Sequence, residues 1–394
     1  MPGKAIVIGA GIGGLTAAKA LGHHGWEVDV YERSMDAGPA GSGLTLAPNA
    51  VAALRCLGLD AALETHGRRL DGLEARLRSG HRVLRIDAAE LATKYGGGLY
   101  SLHRGDLHRL LVESLDQVRV HTGHRAISVC PDGATATVTL RGPDGLRALS
   151  ADLVVAADGV HSPLRATVFP DYPGPRHAGY VAWRGIVPAA DAAPLRVAEV
   201  LTETWGEGLR IGVTPLRNGQ IYWYALETSG EAARDVPDVA HLIAHADAWS
   251  DPIPDVLAAT PPTAVLRHDV YYLHAALPSF IRGPIAFLGD AAHAITPDIG
   301  QGAGLAIEDA VVLAAAIDRH GVAAGLDAYD STRRPRTQRL ARTSGRMGRA
   351  LQGSHPGTAL IRDFVARCTP PGAGARFTDS LYGWTPPAMA SAAH

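Results

Sequence analysis

Six residues near the N-terminus, Gly9-Ala10-Gly11-Ile12-Gly13-Gly14, restrict what this chain can fold into. They follow a β-branched apolar run, Lys4 to Ile8, that reads as a buried strand. They precede Leu15 to Leu21, where apolar residues recur at helical spacing, and then a second strand-like run, Glu27 to Tyr31. Strand, glycine turn, helix and strand make a βαβ unit. Gly9, Gly11 and Gly14 fill the three positions of GxGxxG within it. Gly9 permits the tight turn, Gly11 lets a pyrophosphate approach the backbone, and Gly14 lets the helix pack on the sheet. The helix start offers free N–H groups and a positive dipole end to phosphates. Glu32, 18 residues after Gly14, ends the second strand and can accept hydrogen bonds from a ribose, with Arg33 beside it. The unit predicts a dinucleotide site; its bland alternative is a structural glycine turn.

Composition narrows the rest. Of 394 residues, 46% are apolar and 19% charged, which is globular and excludes a disordered chain. The length fits two or three domains, or one large domain with an insertion. A formal net charge of −2 gives no global field for nucleic acid or an anionic membrane. Cys56, Cys130 and Cys368 are far apart and form no CxxC pair, which argues for a reducing, cytoplasmic setting. The apolar stretch Ala5 to Ala20 is cut by glycines and has no charged leader, so it is not read as a signal peptide. The apolar run Ala303 to Ile317 contains Glu308 and Asp309, and no membrane span is expected.

Along the chain, Pro48 to Leu57 and Asp106 to Leu115 read as helices, and Asp152 to Ala157 as a buried strand. From residue 170 to 279 prolines and aromatics increase and alternating runs recur, as in a mostly antiparallel sheet inserted into the first lobe. A buried strand at 285–289 returns to that lobe, followed by helices from about Gly302 to Ile317 and over 326–352. The expected division is a discontinuous cofactor domain (1–69, 98–170, 280–352), a substrate domain (70–97, 171–279) and a C-terminal segment, 353–394, read as a Pro- and Gly-rich tail prone to fray.

Two further motifs follow predicted strands. Ala157-Asp158-Gly159 leads to Ser162-Pro163 at a helix start. Phe287-Leu-Gly289-Asp290-Ala-Ala-His293 leads through Pro297, Gly300 and Gln301 to the helix at Gly302 and Ala303. With GxGxxG these three fingerprints, in this order, resemble the FAD-dependent monooxygenases of the p-hydroxybenzoate hydroxylase type, the single-component aromatic hydroxylases, from about residue 4 to residue 350. The resemblance implies an α/β fold: a Rossmann-type FAD-binding domain with an inserted antiparallel substrate domain and C-terminal helices. It implies that Asp290 binds the ribityl chain and that Pro297 lies at the flavin edge where oxygen reacts. Backbone N–H groups around Gly300, Gly302 and Ala303 would face flavin N1 and the C2 carbonyl, where a helix start stabilises the charge of reduced flavin. Gly289 completes the turn before Asp290, Asp158 and Gly159 match the motif linked to FAD and the nicotinamide donor, and Arg104 matches the arginine that reaches FAD phosphate or ribose. The implied reaction uses NADH or NADPH as a transient cosubstrate and O2, and oxygenates a small aromatic or polyketide-like substrate through a flavin C4a-hydroperoxide in a dry pocket. No second GxGxxG lies between a strand and a helix.

In the inserted lobe, Tyr180-Val-Ala-Trp183-Arg184-Gly185 resembles a strand of the urate- and salicylate-hydroxylase-like branch. Arg210 and Tyr222 fall where urate-hydroxylating members hold substrate, and an arginine with tyrosines suits an aromatic bearing an anionic or carbonyl oxygen. Pro297, Arg210 and Tyr222 are thus the expected catalytic residues; the alternative is that the strand aromatics are sheet core. The segment Ala40-Gly-Ser-Gly43-Leu-Thr-Leu-Ala-Pro48-Asn49 is expected along the flavin. His293 and His103 are left between a structural bond and proton work. Arg333-Arg-Pro-Arg336 to Arg349 reads as a solvated basic helix face or a dimer contact, leaving monomer and homodimer open. His241 and His245 lack an HExxH pattern, so no metal is expected. Open alternatives are a flavin epoxidase, a Baeyer–Villiger or drug-inactivating relative, and a flavin-binding scaffold or sensor without turnover.

Overall fold

The structure is a computed structural model that describes residues 3–35, 42–230, 239–353, 356–368 and 375–388. Its first lobe is built on a six-stranded sheet in the spatial order Ile281–Arg282, Ile285–Phe287, Leu153–Ala156, Lys4–Ile8, Glu27–Tyr31, Arg119–His121. The last five are parallel; only the short edge strand Ile281–Arg282 runs the other way. A parallel sheet is covered on both faces, so its strands need continuous apolar sequence. Leu153–Ala156 and Ile285–Phe287 are wholly buried, and Lys4–Ile8 is buried from Ala5 onward. The helix Ile12–His23 packs against Gly302–His320 and Arg104–Glu113. From Lys4–Ile8 the chain moves outward to Glu27–Tyr31 and later returns to the opposite side through Leu153–Ala156. The strand order therefore reverses between Lys4–Ile8 and Leu153–Ala156. Ligands of open α/β sheets bind beyond the carboxyl ends of strands at such a point.

The second sheet has seven strands, ordered Leu266–Tyr272, Arg176–Val187, Ile221–Thr228, Leu209–Pro215, Val200–Trp205, Gly72–Leu77, Arg82–Asp87. One pair, Val200–Trp205 with Gly72–Leu77, is parallel; the others are antiparallel. Alternation gives the sheet two unlike faces. Val181, Trp183, Ile211, Val213 and Trp223 form a core with Leu242 and Val256 of the helices Ala240–Ala246 and Ile253–Ala258. The opposite face carries Tyr180, Arg184, Glu203, Arg210, Tyr222 and Tyr224.

Two expectations about the C-terminal third need correction. The segment after Gly353 holds helices over Pro356–Cys368 and Ala375–Tyr382; Leu381 and Tyr382 bury against Leu340. The helix Val322–Leu351 is not a solvated basic face along its length, because Arg333 has no exposed surface and Arg336 is largely covered. Both arginines meet carboxylates of the neighbouring helix, which a one-dimensional charge pattern does not display. Among the described residues no helix is long and apolar enough to cross a membrane.

Candidate active site

Three chain turns line the carboxyl edge of the parallel sheet. In the first, a Cβ on Gly14 would overlap the Gly9 carbonyl oxygen, and one on Gly9 would overlap Ala157 O, so helix, turn and neighbouring strand touch backbone to backbone. Gly11 is different: a Cβ there would meet nothing within 4 Å. The helix Ile12–His23 starts with no side-chain cap and no acidic residue in its first turn, leaving its N–H groups free for an anion. Glu32 accepts from Ala10 N at 2.8 Å and from Ser34 N at 2.9 Å, which fixes its carboxylate beside the glycine turn; Arg33 is exposed.

The second turn holds Asp158 and Gly159. Asp158 is half-buried, accepts from Leu164 N at 3.3 Å, and its carboxyl is pushed up by burial. The third runs from Gly289 to Ala303. Asp290 opens onto the cleft but is ringed by protein, and that enclosure pushes its carboxyl above the usual range against the pull of His293 and Arg104. Pro297 begins a single helical turn, Pro297–Ile299, and Gly300 leads to Gln301 and the helix Gly302–His320. That helix too starts without a side-chain cap or an early acid. Gly159, Gly300 and Gly302, like Gly11, have open space where a Cβ would stand.

Behind the third turn lies a buried charge cluster that sequence reasoning missed. Asp309 accepts from Gly289 N at 3.0 Å, from Arg333 Nε at 2.7 Å, and lies 2.5 Å from His293 Nε2. Burial alone would raise its carboxyl; His293 and Arg333 hold it down at about 2. Glu308 receives Arg333, both Nε and Nη2 of Arg336, and Asn49 Nδ2 at 2.6 Å. Asn49 also donates to Gln301 Oε1 at 2.8 Å, and Arg336 donates to Leu381 O at 2.9 Å. His293 thus has the structural bond. The signal was present: two adjacent acids in an apolar helical run must find cations when buried.

The substrate-sheet face closes the other side of the cleft. Tyr222 is 6% exposed, its hydroxyl pushed up by burial with Arg184 opposing, and a Cβ on Gly43 would overlap its ring. Gly43–Leu46 is therefore pressed between this face and the strand Tyr100–His103; Ala40 and Gly41 of the expected flavin loop lie outside the described residues. Arg104 begins the helix Arg104–Glu113, exposed at the cleft, and its N–H donates to Ser42 O at 2.8 Å. Arg210 is fully enclosed by protein, and its guanidinium is consumed by Asp298, by Glu203 at 3.2 Å and by Gln352 at 3.0 Å. Burial alone would lower its basicity, but the two carboxylates raise it, so it stays a cation. Each of its three nitrogens donates to a protein acceptor. Tyr180 Oη donates to Asp298 at 2.8 Å and Tyr224 Oη to Glu203 at 2.6 Å, so Asp298, the residue after Pro297, is tied directly to two strands of the sheet and through Arg210 and Glu203 to two more. The structure sets Tyr222 against Gly43 and ties Asp298, the residue after Pro297, to Tyr180 and Arg210 of the same sheet face.

Residues 3–344 match the FAD_binding_3 family, described as an FAD binding domain. The chain belongs to this family of FAD-dependent monooxygenases. FAD-dependent urate hydroxylase of Klebsiella pneumoniae is 36% identical over 341 residues, covering 86% of this chain and 87% of that protein. Aurachin C monooxygenase/isomerase of Stigmatella aurantiaca is 32% identical over 368 residues, covering 92% and 93%. The crystal structure of Klebsiella pneumoniae HpxO with FAD and uric acid superposes with a TM-score of 0.84 at 31% identity, over 96% of each chain. FAD is the cofactor, and the cleft fits it. Gly11 and the free start of Ile12–His23 suit a pyrophosphate, Glu32 a ribose, and Asp290 a polyol chain. The open positions at Gly159, Gly300 and Gly302 leave room for a long planar ligand along one edge of the sheet.

Proposed function

We propose that this chain is an NAD(P)H-consuming monooxygenase that hydroxylates a small aromatic or polyketide-like molecule held between Pro297 and the tyrosine face of the seven-stranded sheet. What supports the reading is the uncapped helix start at Gly302, shortly after Pro297, together with the tyrosine face of the seven-stranded sheet, which Tyr180 and Arg210 tie to Asp298 beside that proline. FAD in this cleft would take a hydride from NADH or NADPH, activate O2 and deliver one oxygen atom to the substrate ring.

The residues then divide the work. Gly9, Gly11, Gly14, Glu32, Arg33 and Arg104 hold the adenosine and phosphate portion of FAD. Asp158, Gly159, Gly289 and Asp290 hold its central chain, with Asp309 fixing the turn from behind. Gly300, Gly302 and Ala303 present backbone N–H groups to the pyrimidine end, where a helix dipole favours added negative charge. Pro297 shapes the reacting edge without donating a proton there, since proline has no N–H. Tyr222 orients the substrate ring and excludes water. Arg210 is a positioning residue: it fixes Asp298, and through it Pro297, against the sheet. The relatives named for urate and for aurachin C support this reading, and an electron-rich ring is the chemistry we assign to the pocket.

The test is NADH and NADPH consumption by the FAD-loaded enzyme across aromatic acids, purines, quinolones and polyketide phenols, with products weighed for one added oxygen. A stimulated rate with a product heavier by one oxygen is expected. A flavin that no compound and no nicotinamide turns over would overturn the reading in favour of a scaffold or sensor.

A further inference from the structure

We propose that the side-chain amide of Gln301 donates a hydrogen bond to the pyrimidine end of FAD, and that Asn49 and Glu308 are the positioning residues that turn it there. The proposal rests on the reading that this end of the flavin lies at the start of the helix Gly302–His320.

An amide side chain can be turned end for end, and here a carboxylate decides its direction. Glu308 has no exposed surface. Its Oε2 receives Arg333 Nη1 at 2.6 Å and Arg336 Nε at 2.8 Å, and its Oε1 receives Arg336 Nη2 at 2.8 Å. A carboxylate paired with two arginines only accepts. The Asn49 atom 2.6 Å from Glu308 Oε1 is therefore the donor, Nδ2. The same Nδ2 lies 2.8 Å from Gln301, so the Gln301 atom it meets is the acceptor, Oε1. Both N–H groups of Asn49 are then spent, and its Oδ1 is left buried without a partner. An orphaned acceptor of that kind marks an amide whose direction is imposed by its neighbours.

With Oε1 turned to Asn49, the NH2 group of Gln301 faces away from it. Gln301 is 1% exposed, and its Nε2 makes no hydrogen bond among the described residues. Gln301 is the N-cap residue of Gly302–His320, yet its side chain does not cap that helix. The residues on either side, Gly300 and Gly302, have open space where a Cβ would stand. A buried amide with two unmet donors, set between two open positions, lacks an acceptor. The pyrimidine end of FAD supplies one in its C2 carbonyl, which shares the negative charge of the reduced ring with N1. A donor fixed there favours the reduced form over the neutral, oxidised one.

The experiment is anaerobic equilibration of the full-length, FAD-loaded enzyme with a reference dye, which reads the midpoint potential, for wild type, Gln301→Met, Asn49→Leu and the double variant. Gln301→Met keeps the length of the side chain and removes its donors. It should lower the equilibrium constant for two-electron reduction about 10-fold, the size of one hydrogen bond to a charged group, which corresponds to a fall of about 30 mV. Asn49→Leu releases the amide and should shift the potential in the same direction. The double variant should match Gln301→Met instead of summing the two, because Asn49 acts through Gln301. If these side chains serve only to pack Pro48–Cys56 on Gly302–His320, the variants will unfold more easily and keep the wild-type potential, which would overturn the proposal. Should Asn49→Leu fail to fold, Gln301→Met decides by itself, since it leaves Glu308 with both arginines. The spectrum of the reduced flavin separates this proposal from the reading beneath it. Wild-type flavin that takes a proton at N1 as readily as free FAD would sink the placement of the pyrimidine end at this helix. Wild-type flavin held as the N1 anion, with Gln301→Met at the wild-type potential, would sink the Gln301 donor alone.

Discussion

The two sheets carry their halves of the site in different ways. The parallel sheet offers strand ends. Gly9, Asp158 and Gly289 each follow a buried strand, so each cofactor-facing turn is continuous in the chain. The seven-stranded sheet offers a face. Tyr180, Glu203, Arg210 and Tyr222 come from four strands and meet only through pairing and pleat. A turn at a strand end is decided by a few neighbouring residues. A face is decided by register, and a slip of one residue would turn every side chain on a strand away. The cofactor half is thus locally specified and the substrate half globally specified.

Six substitutions would break or sharpen that contrast, and their effects should fall in this order. Gly14→Val should abolish soluble folded protein, because its Cβ overlaps the Gly9 carbonyl oxygen. Gly11→Ala, with open space around it, should fold and lose FAD affinity instead. Circular dichroism and flavin content measured together separate the two, and equal behaviour would show that the turn has no open side. Arg333→Met comes next. It leaves Asp309 and Glu308 buried, with His293 and Arg336 as their remaining side-chain partners, and should cost about 3–5 kcal/mol in denaturant unfolding. Arg210→Met strands Asp298 and Glu203 in the same way, but on the substrate side. Beyond its stability cost it should uncouple oxygen use from product formation, which Arg333→Met should do far less. Glu32→Ala should weaken FAD binding by roughly 1–3 kcal/mol. Tyr224→Phe, which removes one hydroxyl from Glu203, should cost only about 0.5–1.5 kcal/mol of stability.

Acid offers a further comparison. Asp309 is held at about 2 against an ordinary 3.8. A carboxylate depressed in the folded state stabilises it above the unfolded value, and that contribution disappears as pH falls from about 4 towards 2. Thermal midpoints of wild type should drop through this window more steeply than those of Asp309→Asn. Parallel curves would show that Asp309 is not ionised where it sits.

Much of the fold and half of the site were legible in the residues. The glycine turn, the uninterrupted apolar strands and the alternation after residue 170 specify two sheets of different kinds, because their periods differ. The turns that carry Asp290 and Pro297 were legible because their motif is local. Strand spacing gives Arg210 its face but not its depth. In the fold the guanidinium lies under Asp298 and Glu203. Arg333 was read as solvated for the related reason that its partners, Glu308 and Asp309, lie on another helix.

The sequence by itself determined the cofactor cradle: turns at the ends of apolar strands, where backbone geometry and glycine are enough to admit a pyrophosphate. Only the tertiary structure decided which charges are free. Arg333 and Arg210 are neutralised by carboxylates on other elements, while Arg104 forms no ion pair with a carboxylate among the described residues. The physical reason is that burial and ion pairing depend on distance in space. A charge close to its partner in the fold can be far from it in the sequence, and no local pattern records that separation.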